Sequence, residues 1–266
     1  MNGKYVQQGL YRREYEHDAC GVGMVANLSG EANHDIVGKG MTILKRLMHR
    51  GATGNDPETG DGAGLLMRIP HGFFKKVLKD IFHTETQRHR GIVEENADAF
   101  GVAMLFGGEG EEKKIEKIVK SEGCEVLGWR DVPTNPDAIG HDARSVMPKI
   151  RQLFISASHR GTYPPLEGGR DRWESDQAEQ SECRETQMAR EKKLCDSVAP
   201  CDKDFERQLY IIRREIEKAT KDTYVCSCSS RTIVYKGLLL ATQIEKFYPD
   251  LSDPDFISPF AIVHQR

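Results

Sequence analysis

The stretch Cys20-Gly21-Val22-Gly23-Met24-Val25-Ala26 follows a short charged leader and opens the first apolar run of the chain. Cleavage of the Ala19–Cys20 bond would give one residue both a thiol nucleophile and a free α-amine that can act as its base. An α-amino group titrates at about 7.7–8.0 and a free thiol near 8.5, so a proton passes between them at little cost near neutrality. The same heptapeptide also reads as a strand opened by a small buried cysteine, and taken alone it leaves both readings open. Residues 1–19 hold Arg12, Arg13, Glu14, Glu16, His17 and Asp18 without an apolar core, which excludes a secretory signal. They read as a removable propeptide, with a disordered tail as the alternative.

Composition bounds the class. The 266 residues are 38% hydrophobic and carry a formal charge of −3, a soluble globular balance that gives no reason to expect nucleic acid or an acidic membrane as partner. No apolar run approaches the roughly 20 residues that span a bilayer. The seven cysteines are odd in number and irregularly spaced, which argues against a disulfide framework and for a reducing cytoplasm.

Periodicity alternates between two and 3.6 residues along the chain. Strands are expected at 20–28, 62–69, 100–106, 124–129, 153–157, 224–228, 232–236 and 260–264. Helical faces are expected from Val37, Met41, Leu44 and Met48, from Phe73, Phe74, Val77, Leu78 and Ile81, from Ile115, Ile118 and Val119, and from Phe205, Leu209, Ile212 and Ile216. This is a mixed α/β pattern that does not order the strands. Residues 164–203 are charged and nearly empty of large apolar side chains, so a disordered insertion is expected there. Its Cys183, Cys195 and Cys201 lack paired metal-ligand spacing, and no metal site is expected. Cys226 and Cys228, two apart on a strand, are expected on one face as buried packing residues rather than a metal or redox pair.

Further motifs lie downstream of Cys20: His49-Arg50-Gly51-Ala52, Thr59-Gly60-Asp61-Gly62-Ala63-Gly64-Leu65-Leu66, Gly128-Trp129-Arg130-Asp131-Val132-Pro133, Ile150-Arg151-Gln152-Leu153-Phe154, Ser230-Arg231-Thr232-Ile233-Val234-Tyr235-Lys236-Gly237 and Val263-His264-Gln265-Arg266. In this order they resemble the N-terminal glutaminase domain of glutamate synthase large subunits, a class II glutamine amidotransferase, over residues 15–162 and 204–266. The resemblance implies an α/β (α+β) chain with the four-layer αββα sandwich of N-terminal-nucleophile hydrolases, incomplete at its C-terminus, with residues 20–266 forming a partial domain.

The resemblance also implies the chemistry. Cys20 attacks the side-chain amide of glutamine, releases ammonia and forms a thioester that water hydrolyses to glutamate. Arg266, in the His-x-Arg motif, pairs with the substrate α-carboxylate, a task suited to a planar bidentate guanidinium. Gly21 and Gly23 let the backbone lie close to substrate, or mark a strand irregularity. Arg50 orients the site and Asp61 occupies the glycine-rich turn behind it; for these two, a structural salt bridge and a turn role remain equally open. His49 and His264 are expected as supporting or core residues, not bases.

The family takes its oxyanion donors from an Asn-Gly pair beyond His-x-Arg, so the 266-residue chain by itself is expected to be inactive and unstable. The remaining synthase domains are implied to hold FMN and an iron–sulfur cluster, to add the ammonia to 2-oxoglutarate and to take electrons through a small subunit or ferredoxin, with no cofactor in this segment. A non-catalytic remnant with a binding or regulatory role, or an N-terminal-nucleophile hydrolase of another amide, are the alternative readings.

Overall fold

The computed structural model of the chain describes residues 20–84, 100–157 and 203–266. The expected propeptide and almost all of the expected insertion lie outside those residues. In chain order the strands and helices are β1 (Gly21–Ala26), α1 (His34–Arg46), β2 (Ala63–Arg68), α2 (His71–Thr84), β3 (Phe100–Gly107), α3 (Glu112–Ser121), β4 (Cys124–Asp131), α4 (His141–Ser145), β5 (Ile150–Ala157), α5 (Lys203–Ala219), β6 (Thr223–Ser229), β7 (Thr232–Gly237), α6 (Ile244–Phe247) and β8 (Phe260–Gln265). They form two four-stranded antiparallel sheets, ordered β1-β8-β2-β7 and β4-β5-β3-β6.

The second sheet arises from a split β-α-β arrangement, in which β3-α3-β4 is followed by β5-α5-β6 and β5 inserts between β4 and β3. Its strands alternate between two apolar surfaces. Ala103, Leu105, Leu153, Ile155 and Val225 face Ile115 and Val119 of α3 and Phe205, Leu209, Ile212 and Ile216 of α5. The four apolar residues of α5 recur at intervals of four, three and four, which puts them on one helical stripe. On the other surface Val102, Met104, Ile150 and Phe154 join a larger core with Leu65, Met67, Ile233, Tyr235, Ala261 and Val263 of the first sheet and Val37, Met41 and Leu44 of α1.

A buried polar network ties the sheets together. Arg130 of β4 donates to both carboxylate oxygens of Asp250 at 2.7 and 2.8 Å, and the Tyr235 hydroxyl donates to Asp250 Oδ2 at 2.8 Å. Gln152 of β5 closes the ring, accepting from Arg130 at 2.9 Å and donating to the Tyr235 hydroxyl at 3.1 Å. Burial, reinforced by the Asp250 carboxylate, pushes the Tyr235 phenol well above its ordinary value. Every partner in this low-dielectric region is satisfied, which is the condition for such a network to favour one packing.

Two local expectations are corrected. The helix carrying Val37, Met41 and Leu44 ends at Arg46, and Met48 lies in a 3-10 turn (Met48–Arg50) that takes it off the buried face and leaves it 47% exposed. Cys226 and Cys228 do not share a face. The register between β3 and β6 jumps from Met104↔Ser227 to Leu105↔Val225, so Cys226 is the extra residue of a bulge. Cys226 therefore enters the larger core while Cys228 packs against the smaller one. Both are packing residues, their thiols pushed up by burial to about 11 and about 12.

Among the described residues no helix is long and apolar enough to cross a membrane, and no group of three or more His, Cys, Asp or Glu side chains could hold a metal ion. Among the described residues, the first sheet is covered on one face. On the other, Val22, Met24 and Ile262 are 67%, 64% and 36% exposed.

Candidate active site

Cys20 is a half-buried free thiol one residue before β1. The ladder pairs Gly21 with Gln265, so the same register continued by one residue sets Cys20 beside Arg266. Strand alternation gives Cys20 the face shared by Val22 and Met24, and turns Gly21 and Gly23 toward α1. The glycines have a packing reason there. A Cβ on Gly23 would stand 2.5 Å from Ile43 Cγ2, and one on Gly21 would stand 3.0 Å from the Cβ of Arg50. Absence of side chains at these positions lets β1 settle on α1 and the stem of Arg50.

The loop from Gly51 to Gly62 is laced to the end of β8 by main-chain bonds. Ala52 N–H donates to the Arg266 carbonyl at 3.1 Å, Arg266 N–H to the Gly62 carbonyl at 2.9 Å, and Asp61 N–H to the Ala52 carbonyl at 3.0 Å. Gly62 has φ +152°, a conformation that side chains rarely permit. Together with the β1–β8 ladder and the packing of Gly21 on Arg50, these bonds bring Cys20, Gly21, Arg50, Asp61 and Arg266 to one end of the first sheet, with the Arg50, Asp61 and Arg266 side chains exposed.

The far side of the loop is fixed by contacts that the sequence did not suggest. Asp56 Oδ2 accepts from Thr59 Oγ1 at 2.7 Å and from Asp142 N–H at 3.2 Å, while Thr59 Oγ1 accepts from Ala143 N–H at 3.1 Å. Residues more than 80 positions away thus satisfy the free amides of the first turn of α4. Gln243 Nε2 adds a bond to the Glu58 carbonyl at 2.8 Å. The hydrogen bonds from Thr59, and then from the Glu58 and Asp142 amides, hold the Asp56 carboxyl below the usual range.

Gln265 was also not anticipated. It is 1% exposed, and its Nε2 donates to the Arg266 carbonyl at 3.2 Å. Its Oε1 is buried and has no hydrogen-bond partner among the described residues. The alternation of β8, with Ala261 and Val263 buried between exposed neighbours, is the signal that would have found it. His49 and His264 are both exposed, so neither is a core residue; His49 Nδ1 lies 3.1 Å from the Arg46 carbonyl at the end of α1.

A profile described as "Glutamine amidotransferases class-II" matches residues 20–167 and 171–266, and the chain belongs to that family. The fold of the family is that of N-terminal-nucleophile hydrolases, and the two antiparallel sheets with their helices make this chain α+β, as the resemblance implied. Among its relatives is the glutamate synthase [NADPH] large chain of Bacillus subtilis (strain 168), 43% identical over 97% of this chain and 14% of the relative. The glutamate synthase [NADPH] large chain of Azospirillum brasilense is 36% identical over 96% of this chain and 14% of the relative. The chloroplastic ferredoxin-dependent glutamate synthase of Oryza sativa subsp. japonica is 35% identical over 94% and 13%. The chain therefore spans about one seventh of the length of these proteins.

Proposed function

We propose that this chain carries out the glutaminase half-reaction of a glutamate synthase, with Cys20 as an N-terminal nucleophile exposed by removal of residues 1–19. The Cys20 thiolate adds to the side-chain carbonyl of glutamine, and the α-ammonium that received its proton returns it to the leaving nitrogen. The C–N bond breaks, ammonia departs and a γ-glutamyl thioester forms. Water, deprotonated by the same amine, cleaves the thioester to glutamate and regenerates the thiol. Arg266 pairs with the α-carboxylate of glutamine, and Arg50 and Asp61 support the site.

The observation that supports this reading best is the meeting of Cys20, Gly21, Arg50, Asp61 and Arg266, drawn from three distant segments, at one end of the first sheet. The ammonia is destined for 2-oxoglutarate in the other domains of a synthase, where FMN and an iron–sulfur cluster reside and a small subunit or ferredoxin supplies electrons, in the cytoplasm. Both groups belong to those other domains in this reading, and the part assigned to the present chain is the amide chemistry of Cys20.

A diazo-ketone analogue of glutamine, applied to the full-length synthase carrying this segment, tests the reading. It is expected to alkylate Cys20, to be blocked by excess glutamine, and to spare the buried Cys226 and Cys228. Labelling that ignores glutamine, or that falls on other cysteines while Cys20 stays free, contradicts the assignment.

A further inference from the structure

We propose that Gln265 is a positioning residue for this site, an inference that rests on the glutaminase reading above. Its amide sits among the neighbours of three residues assigned to the chemistry. Nε2 donates to the Arg266 carbonyl, which also accepts from Ala52 N–H. Gly51, next to Arg50, lies against the amide so closely that a Cβ there would be 2.4 Å from Nε2 and 3.0 Å from Cδ. Directly across the ladder stands Gly21, bonded to Cys20, whose own missing Cβ leaves room for the Arg50 stem. The length of one side chain thus sets the separation between the Gly51 backbone and the end of β8, and with it the placement of Cys20, Arg50 and Arg266.

The unpartnered Oε1 is the second observation. Oε1 has no hydrogen-bond partner among the described residues, whereas methionine would span a similar length with no polar atom. Among the described residues, what the amide supplies is its Nε2 bond to the Arg266 carbonyl and its close contact with Gly51. A packing role and a positioning role predict opposite changes when the amide is replaced.

The test compares the full-length synthase carrying this segment with its Gln265→Met and Gly51→Ala variants by three readouts: melting temperature, alkylation of Cys20 by iodoacetamide, and alkylation by the diazo-ketone glutamine analogue. Gln265→Met is expected to keep or raise the melting temperature and to leave the iodoacetamide rate unchanged. Its analogue labelling should fall by about tenfold or more, mainly through a higher half-saturating concentration, on the scale expected for misplaced binding groups. Gly51→Ala, which crowds the same amide from the opposite side, should reproduce the labelling loss. Analogue labelling equal to wild type in both variants overturns the proposal. So does a loss of melting temperature in step with the labelling loss, which assigns Gln265 to packing. Failure of the unaltered full-length synthase to label at Cys20 is a separate result, seen without any variant, and it overturns the glutaminase reading together with this one.

Discussion

Among the described residues, the second sheet is covered on both faces, whereas the first sheet is covered on one and carries its polar loop at an end. In the second, side chains do the holding: α3 and α5 cover one surface of β3 and β5 and the shared core covers the other. At the site end of the first, main-chain bonds from Ala52, Asp61 and Arg266 and an inter-segment cap from Asp56 and Thr59 hold the loop in place. The difference separates what stabilises the chain from what positions the residues proposed for its chemistry. Apolar burial sets how much of the protein is folded, and a few polar contacts set where Cys20, Arg50 and Arg266 stand.

The contrast is sharpened most by comparing truncations on the two sheets. Leu209→Ala removes a fully buried side chain from the α5 stripe and is expected to lower stability by roughly 2–5 kcal/mol, with the labelling rate of the folded fraction unchanged. Met24→Ala on the open face of β1 is expected to fall within about 0.5 kcal/mol of the unaltered chain. Urea unfolding measures both, and a Met24→Ala cost similar to that of Leu209→Ala would mean that the face is covered in solution.

A smaller effect is expected at the loop. Thr59→Ala removes the acceptor for Ala143 N–H and the donor to Asp56, and should cost about 0.5–2 kcal/mol, the scale of a lost helix cap. Its signature is a rise in the glutamine concentration needed to protect Cys20 from the analogue that exceeds any effect of Leu209→Ala. Equal protection in both variants would show that the loop is not positioned through α4.

The smallest effect is a titration. Because the Asp56 carboxyl is depressed in the folded state, its contribution is complete above the ordinary aspartate value of about 3.9 and is lost as pH falls below that toward the folded value. Carbonyl chemical shifts through an acid titration should place the Asp56 inflection below that of a model aspartate. An inflection at or above it would contradict the hydrogen bonds assigned to Oδ1 and Oδ2.

This division also decides what could be read from the sequence. Periodicity located the strands and the α5 stripe because those elements are organised by side-chain burial, which leaves a pattern. It misjudged Met48 because a 3-10 turn follows α1 without any break in the apolar spacing, and it misjudged Cys226 because a bulge in the partner register leaves no local mark. At the site, the motifs pointed to Cys20, Gly21, Arg50, Asp61 and Arg266 but not to what assembles them. Thr59 looked like part of a glycine-rich turn, although its hydroxyl serves a helix 84 residues away. Asp56 and Gln243 belonged to no motif, and Arg130, Gln152 and Tyr235 sat in three separate motifs with nothing to indicate that Asp250 would join them.

The central claim is that Cys20 becomes the first residue of the working protein. Intact-mass measurement of the expressed full-length synthase, made before and after reaction with the diazo-ketone glutamine analogue, tests it most directly. The expected result is a mass beginning at Cys20, shifted by one equivalent of the analogue. A species that retains Met1 and still takes up the analogue at Cys20, or a mature species beginning at Cys20 that does not react, would contradict it.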